Sequence, residues 1–140
     1  MSTLYAHTDG GSRGNPGPSA CGTVFVTESG DVLFEEKLFL GVGTNNEAEY
    51  RGLLLALEHL PAFLKEHAFD NVVFRLDSNL VVQQVQGNWK IKEERMRQYV
   101  MQARQAANAL PIPWSIEYVP RAQNALADLA VNQALDAAAL

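Results

Sequence analysis

The segment at residues 4–18, LYAHTDGGSRGNPGP, constrains the fold most, because a strand pattern runs into a glycine- and proline-rich stretch. Leu4, Ala6 and Thr8 are predicted to face one side of a strand, and the residues between them the other side. Aspartate is depleted in strands, so Asp9 at the end of this run needs an explanation. The glycines and prolines are predicted to end the strand and let backbone amides approach a ligand. A strand ending in a simple Asp-Gly turn explains the segment equally well.

A single domain covering residues 1–140 is expected from the chain length, which suffices for a sizeable hydrophobic core. No apolar run reaches the roughly 18 residues that a membrane span needs, and no secretory signal is visible at the N-terminus. The single cysteine, Cys21, cannot form an internal disulfide and is expected to be a small core residue. These features predict a cytoplasmic, monomeric protein with no membrane partner.

The formal net charge of −5 argues against a protein that binds nucleic acid through its overall charge. The basic residues are nevertheless clustered, since four of them fall within positions 90–97. A solvated helix face, balanced by Glu93 and Glu94, is the simpler explanation of this cluster. Local patches still bind phosphates in proteins of negative net charge.

Hydrophobic periodicity predicts the element order βββαβααβα. Strands are predicted at residues 4–9, 21–27, 32–40, 71–76 and 114–119, and helices at residues 45–64, 78–85, 92–110 and 125–140. The first three strands are expected to form an antiparallel meander. Residues 41–44 are predicted to break the third strand, and Asn45 or Asn46 to cap the first long helix. The order indicates an α/β fold, with helices packed on a mixed sheet.

Four acidic residues are the candidate functional groups: Asp9, Glu49, Asp77 and Asp128. Asp9 and Asp77 each follow an apolar strand, so adjacent parallel strands would make them neighbours at the edge where α/β proteins bind ligands. Glu49 lies on the apolar face of the first long helix, and Asp128 lies near the start of the last. Acids clustered without cations raise one another's pKa values, which indicates a cation site suited to Mg²⁺ or Mn²⁺. Four unrelated acids at strand ends and helix N-termini are the alternative.

Four segments resemble the signature segments of type 1 ribonuclease H, in the order and spacing of that family. They are TDGGSRGNPGP at residues 8–18, TNNEAEYRGLLLAL at 44–57, LDSNLVVQQVQGNWK at 76–90 and NALADLAVNQA at 124–134. Each segment carries an acid where the family has one, and together they cover nearly the whole chain. The resemblance implies a ribonuclease H-like fold, in which a five-stranded mixed sheet combines the three-strand antiparallel meander with two parallel strands.

The same resemblance implies an endonuclease that hydrolyses the RNA strand of RNA·DNA hybrids and leaves 5′-phosphate and 3′-hydroxyl ends. Two Mg²⁺ ions are implied as cofactors, with Mn²⁺ as a possible substitute. By motif, Asp9 would bridge both ions, Glu49 and Asp77 would hold one of them, and Asp128 would complete the site on the side of the attacking water.

Further residues are implied as substrate contacts: Gly10, Asn15, Thr44, Asn45, Asn79, Arg121 and Asn124. The asparagines at positions 15, 45 and 79 match positions that contact the minor groove, where the 2′-hydroxyl distinguishes RNA from DNA. Thr44 matches a position that holds a phosphate of the DNA strand. A loop position before proline is the alternative for Asn15, and helix capping is the alternative for Asn45.

Two departures from the family pattern are visible. The loop at residues 120–124 lacks the histidine that many members have, so the chain resembles the histidine-lacking, archaeal-like branch, in which Arg121 is expected to take over part of that role. Only residues 88–94 separate Gly87 from Arg95, so the basic protrusion of some bacterial members is missing. The three histidines, His7, His59 and His67, lack zinc-site spacing and are expected to be structural or solvated.

Other functions remain open at this point. The same fold serves nucleases that act on double-stranded RNA or DNA, although their acids lie in different motif contexts. A non-catalytic hybrid-binding module would be expected to have lost one or more of the four acids. A phosphatase or kinase of unrelated fold would need a phosphate loop or nucleotide motif, and none is found.

Overall fold

The computed structural model describes residues 2–140, and its element order confirms the predicted one. The strands are β1 (Thr3–Ser12), β2 (Gly17–Val26), β3 (Val32–Gly43), β4 (Asn71–Leu76) and β5 (Trp114–Tyr118). The helices are α1 (Asn45–Glu66), α2 (Asn79–Gln86), α3 (Glu94–Asn108) and α4 (Ala125–Ala138), with a short 3-10 turn at Arg121–Gln123. Within residues 2–140, no helix is long and apolar enough to cross a membrane.

The five strands form one mixed sheet in the order β3-β2-β1-β4-β5. The pairs β1–β2 and β2–β3 are antiparallel, as the predicted meander requires. The pairs β1–β4 and β4–β5 are parallel. The central strand is therefore β1, which places the end of β1 at the middle of one edge of the sheet.

Helices cover the two faces of the sheet unequally. The main core lies between the sheet and α1, where Leu53, Leu57 and Leu60 form the predicted apolar stripe and pack on buried strand residues such as Phe25. On the other face, α4 packs on β2 through a smaller cluster of Ala20, Val131, Ala134 and Leu135. Cys21 is fully buried, as predicted, and burial raises the pKa of its thiol to about 12.

The first loop differs from its prediction, because the glycines after Asp9 do not end the strand. β1 continues to Ser12, which pairs with Ser19 of β2, and Gly10 and Gly11 pair with residues of the same strand. The antiparallel partner is longer than the parallel one, so it supports β1 beyond the point where β4 stops. Only the turn at residues 13–16 remains outside the two strands.

The start of α1 also differs from its prediction. β3 extends to Gly43, which pairs with Gly17, and is not broken at residue 41. The N-cap of α1 is Thr44, whose side chain accepts a hydrogen bond from the Glu47 N–H at 3.2 Å. Capping by Asn45 or Asn46 is therefore wrong, because both residues lie inside the helix.

The basic cluster at residues 90–97 does not form one helix face. Lys90 and Lys92 precede α3 and are exposed, while Arg95 and Arg97 lie in its first turns. Each of the two arginines forms an ion pair with a glutamate, at 3.2 Å for Arg95 with the half-buried Glu47 and at 3.4 Å for Arg97 with the exposed Glu94. The cluster is thus divided between a loop and a helix.

Candidate active site

The parallel pairing of β1 with β4 brings Asp9 and Asp77 to the same edge of the sheet. The last aligned residue pair of the two strands is Thr8 with Leu76. Asp9 directly follows Thr8 in the chain, and Asp77 directly follows Leu76. Strand ends at such an edge are where α/β proteins bind ligands. The proximity that the sequence predicted for adjacent parallel strands is confirmed.

Close packing of α1 on β1 brings Glu49 to the same place. A Cβ atom on Gly10 would overlap the backbone of Ala48, and one on Gly52 would lie 2.5 Å from the Asp9 carbonyl oxygen. Both positions therefore require glycine for the observed approach. Because the helix lies this close, the first turns of α1 carry the Glu49 carboxylate to the end of the central strand.

The carboxyl groups of Asp9 and Glu49 share one backbone N–H donor. The Gly10 N–H donates to Asp9 Oδ1 at 2.9 Å and to Glu49 Oε1 at 3.2 Å. One carboxylate oxygen from each of Asp9, Glu49 and Asp77 lies within 4.8 Å of the other two. Within residues 2–140, the second oxygen of Glu49 is buried and has no hydrogen-bond partner. An oxygen atom in that position is available to a cation.

Burial makes this cluster unfavourable in its ionised form. Burial, followed by the charge of Asp77, raises the pKa of Asp9 from 3.8 to about 7. Burial, followed by the charge of Asp9, raises the pKa of Glu49 well above its ordinary value of 4.5. A divalent cation bound among the three groups would stabilise the ionised forms of carboxylates that are largely removed from water.

The fourth acid lies in the same groove but outside the three-acid cluster. Asp128 is in the first turn of α4, and its Oδ1 accepts a hydrogen bond from Arg121 Nη2 at 3.3 Å. The side chain of Arg121 is 77% exposed. The groove has a volume of about 330 Å³ and is lined by all four predicted acids together with Gly10, Asn45 and Arg121.

Asn15 and Asn45 connect the two walls of the groove near the turn between β1 and β2. Asn45 Oδ1 accepts hydrogen bonds from the Ser12 N–H at 2.9 Å and from the Ser12 hydroxyl at 3.2 Å. Asn15 Oδ1 accepts a hydrogen bond from the Asn45 N–H at 3.1 Å. In both residues the amide oxygen is engaged and the residue is exposed, so the amide nitrogen is available as a donor.

Three other predicted contacts do not line the groove. Asn124 is only 1% exposed, donates from Nδ2 to the Thr8 carbonyl oxygen at 2.9 Å, and meets His7 Nδ1 through its Oδ1 at 3.0 Å. It fastens the loop before α4 to β1. Thr44 is engaged as the helix cap. Asn79 is exposed at the start of α2 and does not line the groove.

The sequence reasoning did not assign a role to Arg13 and Asn132, which also line the groove. Arg13 Nη2 lies 2.6 Å from Asp136 Oδ1 and 3.4 Å from Asn132 Oδ1. The sequence does contain a pattern that indicates this polar face of α4. Asp128, Asn132 and Asp136 recur every four residues and therefore share one side of the helix.

Comparison with known proteins gives the family. A family model described as "Reverse transcriptase-like" matches residues 7–134. The protein "Ribonuclease HI" from Halobacterium salinarum is 42% identical over 133 residues, which make up 95% of this chain. The structure titled "Crystal structure of LC11-RNase H1 in complex with RNA/DNA hybrid" is 37% identical, with a TM-score of 0.91 and coverage of 98% of this chain and 99% of that one. The chain belongs to the ribonuclease H family.

Length separates the chain from some of its relatives in that family. It spans 64% of the Halobacterium salinarum protein and 36% of the "Bifunctional protein Rv2228c" from Mycobacterium tuberculosis, to which it is 44% identical. The sheet order and the parallel arrangement of β1, β4 and β5 agree with the ribonuclease H structures.

Ribonucleases H are metal-dependent enzymes, and the residues present here fit a cation. Asp9, Glu49 and Asp77 offer converging oxygen atoms, the ligand type that Mg²⁺ and Mn²⁺ prefer. The unpartnered oxygen of Glu49 offers a cation a further ligand atom, and a cation would offset the burial that raises the pKa values of Glu49 and Asp9.

Proposed function

We propose that this protein is an endonuclease that hydrolyses the RNA strand of RNA·DNA hybrids and depends on Mg²⁺. The observation that carries the proposal is the cluster of Asp9, Glu49 and Asp77 at the end of the central strand, with Asp128 in the same groove. The relative titled as a complex with an RNA/DNA hybrid supports the choice of substrate.

Two Mg²⁺ ions are proposed as cofactors, and Mn²⁺ as a possible substitute. When bound, such ions supply a nucleophilic water at neutral pH and neutralise charge on the scissile phosphate. Asp9, Glu49 and Asp77 would hold one ion, and Asp9 and Asp128 the other. The N–H of Gly10 fixes the carboxyl groups of Asp9 and Glu49 so that neither rotates away from this position.

The polar residues around the acids are proposed to bind and orient the hybrid. Asn15 and Asn45 present amide donors at the mouth of the groove, which suits a 2′-hydroxyl of the RNA strand. Asn79 presents a further amide beside Asp77, and its Oδ1 accepts from Gln83 Nε2 at 3.2 Å. Several such contacts would require ribose at successive nucleotides.

The chain is proposed to belong to the histidine-lacking branch of the family, because the loop before α4 contains no histidine. Arg121 reaches the groove from this loop and pairs with Asp128 through an exposed contact, so it is free to exchange Asp128 for a phosphate. In this position Arg121 would help to move the scissile phosphate or the product. A cytoplasmic location and a monomeric state remain proposals from the sequence.

A panel of labelled duplexes tests the proposal. RNA·DNA hybrid, double-stranded RNA and double-stranded DNA are each incubated with the protein, with Mg²⁺ and with a chelator. Cleavage of the RNA strand of the hybrid in Mg²⁺ alone, with 5′-phosphate ends, is the expected result. Hybrid that is bound and left intact would make the protein a binding module. Faster cleavage of double-stranded RNA or of DNA would assign a different substrate.

A further inference from the structure

A second arginine, Arg13, lines the same groove as Arg121. Arg13, in the turn between β1 and β2, reaches across to α4, where its Nη2 lies 2.6 Å from Asp136 Oδ1. The two side chains are 44% and 70% exposed. Among the described residues that line the groove, Arg13 and Arg121 are the only two cations, whereas Asp9, Glu49, Asp77 and Asp128 are acids.

The backbone that carries Arg13 is held firmly. The Arg13 N–H donates to the Pro18 carbonyl oxygen at 2.8 Å, which closes the turn. A Cβ atom on Gly17 would overlap the Arg13 carbonyl oxygen, so the two ends of the turn are in close contact. The hydrogen bond from the Asn45 N–H to Asn15 fixes the same turn to the start of α1. The guanidinium group is therefore presented from a rigid base.

The ion pair between Arg13 and Asp136 holds the guanidinium group only weakly. An exposed ion pair of this kind contributes little to stability, because water screens the charges and the side chains lose freedom. Asp136 engages Arg13 through Oδ1 alone, whereas a phosphate can accept two hydrogen bonds from the planar guanidinium fork and carries more negative charge. A polyanionic strand that enters an otherwise acidic groove would compete with Asp136 for Arg13.

We propose that Arg13 is a phosphate-binding residue that leaves Asp136 and contacts a backbone phosphate of the strand that is cut. This role rests on the proposed function. Arg13 is in the same turn as Asn15, which is proposed to read the ribose of that strand, so both groups would meet consecutive nucleotides. Arg13 and Arg121 would then hold the strand on both sides of the carboxylate cluster, and Asp136 would keep Arg13 extended across the groove until the strand arrives.

Equilibrium binding in a chelator tests this role without any cleavage. The dissociation constant for RNA·DNA hybrid is measured at several salt concentrations for the wild type, Arg13→Ala and Asp136→Asn. Lys65→Ala is the charge-matched control, since Lys65 is exposed in the last turn of α1, far from the groove. Thermal unfolding of each variant shows that it is folded.

Arg13→Ala is expected to weaken binding about tenfold and to lower the slope of log affinity against log salt by about one, the loss of one phosphate contact. Asp136→Asn is expected to tighten binding about two- to threefold at low salt, because Arg13 no longer has to leave a charged partner. Lys65→Ala should change neither quantity by a comparable amount. If Arg13→Ala binds like the wild type, or Asp136→Asn weakens binding equally, the ion pair is only a structural tie between the turn and α4.

A second measurement identifies the phosphate. Hybrids that carry one uncharged methylphosphonate at a time in the RNA strand are bound by the wild type and by Arg13→Ala. One position is expected to weaken the wild type and to leave Arg13→Ala unaffected. Equal losses in both proteins at every position would overturn the role of Arg13 while the proposed function stands. Failure of the wild type to prefer hybrid over double-stranded DNA and to cut it would overturn both.

Discussion

Asp9 and Glu49 accept hydrogen bonds from a single backbone donor, the Gly10 N–H, at 2.9 and 3.2 Å. One donor cannot satisfy two buried carboxylates, and the second oxygen of Glu49 has no partner within residues 2–140. The two acids are therefore held in place at the expense of the stability of the metal-free protein.

The substitution Glu49→Gln is expected to stabilise the metal-free protein at neutral pH. The pKa of Glu49 is raised in the folded state, so the unfolded chain loses the proton first and stability falls as pH rises above about 4.5. Removing the carboxylate removes this loss, so the free energy of unfolding should rise clearly at pH 8 and change little at pH 4. Urea unfolding in a chelator at both pH values measures it.

The matched control is Glu58→Gln, the same change at an exposed position of the same helix. It should show little difference between the two pH values. Adding Mg²⁺ should stabilise the wild type more than Glu49→Gln. An equal gain in the free energy of unfolding for both glutamine variants, or no gain for Glu49→Gln, would show that the charge of Glu49 does not destabilise the folded protein.

The close approach of α1 to β1 predicts that Gly52→Ala destabilises the protein. Alanine normally favours a helix over glycine by about 1 kcal/mol, but here its Cβ would lie 2.5 Å from the Asp9 carbonyl oxygen. We expect a loss of roughly 1–3 kcal/mol and lower cleavage, because Glu49 and Asp9 would be pushed apart. Gly11→Ala is the control, since a Cβ there meets nothing closer than the Asn45 side chain at 3.9 Å. Thermal unfolding that shows Gly52→Ala to be neutral or stabilising would contradict the packing.

Substitution of Arg121 separates catalysis from binding. Arg121→Ala removes the guanidinium group that lies 3.3 Å from Asp128 Oδ1. If Arg121 moves the scissile phosphate or the product, kcat should fall about tenfold or more while the dissociation constant for hybrid rises less. Single-turnover and steady-state kinetics with the same hybrid make the distinction. Unchanged kcat with weaker binding would reduce Arg121 to a phosphate anchor.

The three asparagines proposed as ribose contacts, Asn15, Asn45 and Asn79, predict a requirement for consecutive ribonucleotides. Each hydrogen bond to a 2′-hydroxyl contributes only about 1 kcal/mol, so several are needed to distinguish RNA from DNA. Duplexes with one to six ribonucleotides embedded in one DNA strand should be cut efficiently only when several are consecutive. Mapping the cuts measures this. Equal cleavage at an isolated ribonucleotide would point to recognition of an RNA–DNA junction.

Local patterns predicted the elements of this fold well. The apolar stripe on α1 and the alternation in β1 gave the correct types and order, because burial on one face imposes those periods. The position of Glu49 on the stripe and those of Asp9 and Asp77 after apolar runs identified the acids that the sheet brings together.

Features that depend on long-range pairing were not visible in the sequence. Gly10 and Gly11 continue β1 because β2 lies alongside them, although glycine taken alone indicates a break. Asn124 is buried and forms a hydrogen bond to Thr8, and Arg13 forms an ion pair with Asp136. Each of these contacts joins residues more than 110 positions apart. Such contacts follow from the packing of α4 on the sheet, which local patterns in a single sequence do not reveal.

The substitution Asp77→Asn shows whether the carboxylate cluster cuts RNA. The change removes one charge from the cluster and keeps the size of the side chain. Asp70→Asn is the control, because Asp70 precedes the other end of β4 and its Oδ2 accepts a hydrogen bond from the Ser2 N–H at 2.7 Å, away from the groove.

The measurement is the rate of cleavage of labelled RNA·DNA hybrid in Mg²⁺, together with the dissociation constant of the same hybrid in a chelator. For Asp77→Asn we predict a fall in the cleavage rate by orders of magnitude with the dissociation constant changed little, since most binding energy comes from contacts to the nucleic acid backbone. Asp70→Asn should cut and bind like the wild type. Near-normal cleavage by Asp77→Asn would remove Asp77 from the catalytic set and contradict a role for the cluster in cutting RNA.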